Sequence, residues 1–112
     1  MTLGQKQELF AEMLAVFILW LDDAGYKVRI GEVWRPDEMQ KLYLEQGKST
    51  VNHSRHQDKL AADLYITKDG QLLETKESLQ AIGDYWERLH VCNKWGGNYK
   101  SFIDTPHFEY VG

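Results

Sequence analysis

Apolar side chains recur at intervals of three and four residues from Gln5 to about Ala24. This spacing places them on one face of a helix, and Gly25 follows at the position where helices commonly end. The residues of that face are Leu9, Phe10, Met13, Leu14, Phe17, Ile18 and Leu21. The pattern therefore predicts an amphipathic helix that packs against the rest of the chain.

Residues 27–47 change character twice. β-Branched and aromatic side chains dominate from Lys27 to Arg35, which predicts a strand. Its two faces would carry Val28, Ile30 and Trp34 on one side and Arg29, Val33 and Arg35 on the other. A second helix is predicted from Pro36 to Gly47, because proline suits the first helical position and the acidic pair after it favours the positive end of the helix.

Residues 47–59 show no apolar periodicity, and a loop of this length in a small domain is often functional. Residues 60–66 then alternate in the manner of a strand. The inward positions are Leu60, Ala62, Leu64 and Ile66. Asp63 lies between them and therefore faces the opposite side. The turn at residues 68–70 predicts a hairpin into residues 71–74.

The last third of the chain predicts one helix and one further strand. Thr75 is suited to cap the helix. The inner face of that helix would carry Leu79, Ile82, Trp86 and Leu89. Residues 95–98 are turn-prone, and residues 107–111 form the last strand. We expect an α+β fold, with helices packed on a small, mainly antiparallel sheet, and a single domain over residues 1–112.

Composition and charge narrow the classes of partner. The formal net charge of −4 argues against nucleic acid, because such binding rests mainly on neutralised phosphates. Residues 27–59 are locally basic, with seven Lys and Arg against five Asp and Glu. This suits a substrate that carries carboxylates, although an ordinary mixed surface explains the same charges.

The location of the protein is also constrained. Residues 14–21 form the most apolar stretch, which is too short to span a membrane. We interpret residues 1–24 as part of the fold and not as a signal peptide. Cys92 is the only cysteine, so no internal disulfide can form, and we expect synthesis in the cytoplasm.

Histidines and carboxylates supply one combination suited to a catalytic metal. Zinc in enzymes is commonly held by two neutral imidazoles and one carboxylate, with a fourth position left for water. His56 ends the long loop, Asp63 projects from the outer face of the next strand, and His107 begins the last one. Spacing alone leaves open ordinary structural roles for all three residues.

Two other ligand sets compete on the same grounds. His53 and His56 are three residues apart and would share a helical face, and His90 with Cys92 would form a softer pair. Neither set brings an obvious carboxylate base beside it. The sequence lacks an HExxH motif, which excludes a thermolysin-type site.

The order of the motifs resembles one family. The chain is similar to the zinc D-Ala-D-Ala peptidases and their phage endolysin relatives, a group that shares its fold with the hedgehog signalling domain. Their signatures are S-x-H-x-x-G-x-A-x-D and, downstream, D/E-x-x-H. The chain matches the first at Ser54, His56, Ala61 and Asp63, and the second at Asp104 and His107. The similarity runs from about Val28 to the carboxyl terminus.

The resemblance implies roles for individual residues. His56, Asp63 and His107 would bind zinc. Asp104 would act as the general base, and Arg35 would bind the substrate carbonyl or the developing oxyanion. Ser54 would hydrogen-bond substrate or close the loop.

Two positions depart from the family pattern, and one neighbour is of interest. Lys59 stands where glycine is usual, and Arg35 lies between Trp34 and Pro36 where serine or threonine commonly follows the arginine. Glu109 would share a strand face with His107, as an acceptor for the imidazole or as a surface charge.

The resemblance further implies a peptidoglycan peptidase. The bond cut would lie between L-Ala and D-Glu, as in many phage lysins, or between the terminal D-Ala residues. We favour the first, because a catalytic domain without an export signal suits a phage lysin that reaches the cell wall after release. A non-catalytic zinc-binding domain on the same scaffold is the alternative from another class. We expect a monomer that binds peptidoglycan, does not bind nucleic acid and does not insert into a membrane.

Overall fold

The computed structural model describes residues 1–112, with three α-helices and five β-strands. The elements in chain order are α1 (Leu3–Asp23), β1 (Lys27–Ile30), α2 (Asp37–Glu45), β2 (Ala61–Lys68), β3 (Gln71–Leu72), α3 (Lys76–Leu89), β4 (Asn93–Trp95) and β5 (His107–Tyr110). Two short 3₁₀ turns lie at Arg55–Asp58 and Gly96–Asn98.

The strands form one antiparallel sheet in the order β1-β2-β5-β4, and β3 pairs with β2 as a hairpin. Across the central pair, Asp63 lies opposite His107 and Ala61 lies opposite Glu109. Directly opposed residues share a face of a sheet, so these four side chains lie together. The α+β class expected from the sequence is confirmed.

The other face of the sheet is covered by α1 and α3. Phe17 of α1, Trp86 of α3 and Phe108 of β5 are fully buried. The Phe17 ring centroid lies 5.0 Å from that of Phe108 and 5.3 Å from that of Trp86. Truncating such a residue to alanine typically costs about 3–5 kcal/mol, so this cluster anchors the sheet on which the opposite face is built.

The helix ends follow local chemistry. α1 begins at a capping box in which Thr2 Oγ1 accepts from Gln5 N (3.1 Å) and Gln5 Oε1 accepts from Thr2 N (2.9 Å). α3 begins at the predicted cap, where Thr75 Oγ1 accepts from Ser78 N (3.1 Å). None of the helices combines the length and the apolar character needed to cross a bilayer.

β1 is shorter than the sequence predicts. Regular pairing with β2 stops at Ile30, five residues before Arg35. Gly31 then lies so close to β2 that a Cβ there would come within 2.6 Å of the Tyr65 ring. Ile30 and Trp34 are both exposed and do not share a buried face. The sequence pattern also did not predict β4, because a strand of three residues beside a turn shows too little apolar alternation to be recognised.

Residues 31–59, here called the connecting segment, join β1 to β2 and contain α2 and the first 3₁₀ turn. Arg35 N donates to His56 O at 3.1 Å, which brings the two ends of the segment together. Lys59, the last residue of the connecting segment, adopts the left-handed conformation, with φ 58° and ψ 36°. That conformation explains why glycine is usual at this position, because glycine adopts it without steric penalty.

Candidate metal centre

Three donor atoms meet on the sheet face opposite the helices. His56 Nε2 lies 3.1 Å from Asp63 Oδ1 and 3.2 Å from His107 Nδ1, and His107 Nδ1 lies 3.4 Å from Asp63 Oδ1. Both imidazole rings are buried. This is the one group of His, Cys, Asp and Glu side chains whose donor atoms converge closely enough to hold a metal ion. We call it the metal triangle.

The metal triangle has the size of one face of a tetrahedral zinc site. At zinc–ligand distances of about 2.0–2.1 Å, tetrahedral donors stand about 3.3 Å apart. The observed sides of 3.1, 3.2 and 3.4 Å bracket that value. Two nitrogens and one carboxylate oxygen are also a common ligand set of catalytic zinc, and one coordination position remains free. The residues present therefore fit a zinc ion.

Local hydrogen bonds hold His56 in place. Ser54 Oγ accepts from His56 N at 3.2 Å, and Ser54 N donates to Gln57 Oε1 at 2.7 Å. This capping box starts the 3₁₀ turn, and Gln57 Nε2 ties the turn to α2 by donating to Asp37 Oδ1 (2.8 Å). Ser54 therefore closes the loop, and it also lines the cleft described below.

His107 has a carboxylate behind it. His107 Nε2 lies 2.5 Å from Glu109 Oε1, so the neutral ring places its proton there and turns the Nδ1 lone pair toward the metal triangle. Burial lowers the pKa of His107, but its hydrogen bonds to Asp63 and Glu109 outweigh burial and raise the pKa to about 9. The structure thus places Glu109 as the acceptor and not as a free surface charge.

Asp63 is ionised before any metal binds. Burial raises the pKa of this carboxyl, but hydrogen bonds with His107 and His56 outweigh burial and lower it to about 2. The backbone of Asp63 is held by the residues that follow β1, since Asp63 N donates to Glu32 O (2.9 Å) and Asp63 O accepts from Gly31 N (2.7 Å). A deprotonated carboxylate is the state that a metal requires.

Asp104 lies on the turn before β5. Burial raises the pKa of its carboxyl above the ordinary value, although the charges of His107, His56 and Arg35 act in the opposite direction. Asp104 O accepts from His107 N at 3.2 Å, and Asp104 N donates to Gly96 O at 3.0 Å. A Cβ at Gly96 would lie 2.1 Å from Asp104 O, so this approach requires glycine. The turn holds Asp104 near the metal triangle without making it a corner.

Arg35 reaches the site from the connecting segment. Its Nε and Nη2 both contact Glu32 Oε1, at 2.7 and 2.5 Å, and its Nη1 donates to Gln40 Oε1 at 2.6 Å. The guanidinium carbon lies 4.7 Å from the Tyr43 ring centroid. Nε and Nη1 thus donate hydrogen bonds and Nη2 forms an ion pair, and the remaining N–H groups of the guanidinium are available to a ligand.

A cleft of about 400 Å³ opens beside the metal triangle, and His56 and His107 form part of its lining. Its charged lining consists of Arg35, Lys48 and Arg55 with Asp104 and Glu109. Val51 and Phe102 add exposed apolar surface to the lining. The cleft therefore offers positive charge and apolar contact beside the residues that the sequence motifs single out.

Glu32, Gln40 and Tyr99 belong to the site although no sequence pattern singles them out. Gln40 is buried on α2, and its Nε2 donates to Ser49 Oγ (3.0 Å) and Val51 O (2.7 Å). Tyr99 lines the cleft, and burial, followed by the charge of Glu109, raises its pKa. Polar residues on a short helix or in a loop give no local sign of such contacts.

The competing ligand pairs are used elsewhere. His53 Nε2 contacts both carboxylate oxygens of Asp58 at 2.9 Å, and Cys92 N donates to His90 Nδ1 at 3.0 Å. Of these four residues only His56 belongs to the group of converging donor atoms, without His53.

Two imidazoles and a carboxylate converge beside an open cleft that is also lined by an acid and an arginine, which is the arrangement that metallopeptidase sites use. A sequence model of one peptidase family, described as D-alanyl-D-alanine carboxypeptidase, matches residues 47–110. This segment contains the metal triangle and Asp104. The chain belongs to that family, which confirms the resemblance stated from the sequence. No curated protein matches the chain.

Two crystal structures share the fold. The L-Ala D-Glu endopeptidase ChiX of Serratia marcescens has a TM-score of 0.64 and 24% identity, over 75% of this chain and 66% of that chain. A mutant of the vancomycin resistance D,D-pentapeptidase VanY, from a VanB-type resistance cassette and in complex with Zn(II), has a TM-score of 0.57 and 15% identity, over 93% and 71%. The chain thus spans just under two thirds of the length of ChiX.

Proposed function

We propose that this protein is a zinc-dependent hydrolase of peptidoglycan stem peptides that cuts the bond between L-Ala and D-Glu. The observation that carries the proposal is the metal triangle, which has the size of a zinc site and lies beside a cleft that Asp104 and Arg35 also line. The family match over residues 47–110 and the Zn(II) complex of VanY support this interpretation.

Each residue of the site has a distinct task in this proposal. His56, Asp63 and His107 would hold the ion, which when bound supplies an activated water and a Lewis acid for the scissile carbonyl. Asp104 accepts a proton during attack on the peptide bond and returns one to the leaving amine, and its raised pKa suits both transfers. Arg35, which lines the cleft, stabilises the oxygen that becomes negative.

The charge of the cleft supports a stem-peptide substrate. Lys48 and Arg55 line the cleft beside Arg35, and the D-Glu residue and the free carboxyl terminus of a stem peptide are anionic. Positive side chains with low-dielectric walls concentrate such substrates. The fold shared with ChiX, an L-Ala D-Glu endopeptidase, supports the choice of bond.

A D-Ala-D-Ala carboxypeptidase is the second candidate. The description of the matching family names this activity, and VanY, a D,D-pentapeptidase, shares the fold. The same metal chemistry serves both cleavages, because the bond that is cut depends on where the cleft places the peptide.

Digestion of purified peptidoglycan distinguishes the two candidates. Zinc-loaded protein is incubated with the wall material, and mass spectrometry identifies the new termini. A new amine on D-Glu supports the endopeptidase, and free D-Ala supports the carboxypeptidase. Asp104→Asn, loaded with the same amount of zinc, serves as the matched control. Release of neither product by the zinc-loaded wild type would contradict both candidates.

A further inference from the structure

The two imidazoles of the metal triangle differ in what lies behind them. His107 Nε2 contacts Glu109, whereas His56 Nδ1 is buried and has no hydrogen-bond partner. A carboxylate oxygen, Glu32 Oε1, lies 4.0 Å from His56 Nδ1. Each imidazole thus has a carboxylate on the side away from the metal triangle, one in contact and one just out of reach.

If His56 binds a metal through Nε2, the proton of its neutral ring lies on Nδ1 and needs a hydrogen-bond acceptor there. When Nε2 of a neutral imidazole binds a metal, the ring proton sits on Nδ1. A buried N–H without an acceptor is unfavourable. Glu32 Oε1 needs to approach by only about 1 Å to come within hydrogen-bond distance of Nδ1.

The same oxygen already holds Arg35. Glu32 Oε1 accepts from Arg35 Nε and forms an ion pair with Arg35 Nη2, and the Tyr43 hydroxyl lies 3.4 Å from Glu32 Oε2. Glu32 and Arg35 are both largely buried, with side-chain exposures of 25% and 11%. The carboxylate is therefore fixed between the guanidinium and the imidazole.

We propose that Glu32 is a positioning residue that holds His56 and Arg35 in one hydrogen-bond network, so that the metal ligand and the oxyanion-binding group are set together. This inference rests on the proposed function of the site. Glu32 touches neither substrate nor metal, and its effect reaches the reaction only through these two side chains.

Substitution of Glu32 by Gln separates this role from a purely structural one. Gln keeps the size of the side chain but loses the charge that attracts both cations. Because losing the carboxylate behind a ligating histidine typically weakens metal binding by about 10–100-fold, we expect that loss in zinc affinity by chelator competition. The cobalt-substituted variant should show a shifted visible absorption spectrum, and kcat should fall more than KM rises. Glu38→Gln makes the same chemical change at an exposed position of α2, so it should leave all three measurements unchanged.

An NMR measurement on the wild type makes the test independent of how the variant folds. In the zinc-loaded protein, the His56 Nδ1–H proton should give a slowly exchanging, downfield resonance, as expected for a hydrogen bond to a carboxylate. A rapidly exchanging Nδ1–H, or Glu32→Gln with unchanged zinc affinity, overturns the inference while wild-type zinc binding and cleavage leave the proposed function intact. A wild type that binds no zinc contradicts the proposed function itself.

Discussion

On one side of the cleft, Asp63, His107 and Asp104 belong to β2, β5 and the turn before β5, where backbone pairing sets their positions. On the other side, His56 and Arg35 belong to the connecting segment, whose shape depends largely on side-chain hydrogen bonds. We call the side formed by β2, β5 and the turn before β5 the strand side. The metal triangle takes two corners from the strand side and one from the connecting segment.

The two sides should respond differently to substitution. Many backbone hydrogen bonds hold paired strands in position. A side-chain substitution in a strand therefore removes a chemical group without displacing the backbone. In the connecting segment, Gln40 and Glu32 each hold Arg35 through single side chains, so one change displaces its neighbours. Catalytic groups need to be held within about 0.5 Å of a productive position. The connecting segment has fewer hydrogen bonds than the paired strands to maintain that position.

Asp104→Asn is the largest expected effect and tests the strand side. We expect kcat on peptidoglycan fragments to fall by about 10³-fold, because the carboxamide neither accepts nor returns a proton. The zinc content, measured by atomic absorption, should stay at the wild-type level. His107→Ala should lose both zinc and activity, which would separate the proposed general base from a proposed metal ligand.

On the connecting segment, Arg35→Lys should lower kcat by about 10²-fold, because lysine lacks the planar fork that Glu32 and Gln40 hold. Arg29→Lys, at an exposed position of β1, is the matched control and should be silent. Full activity of either Asp104→Asn or Arg35→Lys would show that the corresponding side of the cleft does not carry the chemistry assigned to it.

The stability of the metal-free protein should depend on pH through His107. Its pKa is about 9 in the folded protein and 6.5 as the ordinary value, so the folded state binds the proton more tightly. The stabilisation, about 3 kcal/mol, is present below pH 6.5 and is lost as the pH rises to 9. Chemical denaturation in the presence of a chelator measures it.

Zinc should reverse this dependence. The metal needs the unprotonated ring, so its contribution to stability grows as the pH rises. A flat stability curve in chelator between pH 6.5 and 9 would contradict the paired arrangement of His107 with Asp63 and Glu109.

Gly96→Ala tests the frame of the strand side and should destabilise the protein by about 2 kcal/mol. The added methyl group would lie 2.1 Å from Asp104 O and 3.0 Å from His107 Cβ, so the turn has to shift. Activity should fall with stability, since Asp104 moves with the turn. Gly4→Ala in α1, where the nearest atom to the new Cβ is 4.0 Å away, should not destabilise. Equal stability of the two variants contradicts the close approach.

Lys59→Gly is the smallest effect and tests the end of the connecting segment. Glycine removes the penalty of the left-handed conformation but makes the unfolded chain more flexible, so a net gain of about 0.5–1 kcal/mol is expected. Asp69→Gly, also at positive φ, should gain less, because aspartate tolerates this conformation better than lysine. Thermal unfolding with and without zinc measures both, and a loss of stability in Lys59→Gly would show that the lysine side chain contributes more than its backbone penalty.

The same contrast explains how far the sequence predicts the molecule. Alternation along β2 places Asp63 away from the core, and the motif that ends at His107 places Asp104 beside it, because both follow from local spacing. The roles of Glu32 and Gln40 cannot be read in this way, since their partners lie in other elements. β1 ends early for a similar reason, because the contact of Gly31 with the Tyr65 ring exists only once the strands have paired.

The pairing of Asp63 with His107 makes metal loading a test of strand register. A slip of one residue between β2 and β5 would turn His107 toward the helices and Phe108 toward the cleft. Such a sheet would keep most of its backbone bonds but would offer the ion only two corners. An ion that binds the complete metal triangle would therefore stabilise the correctly aligned sheet over the slipped one, and so select the native register during folding.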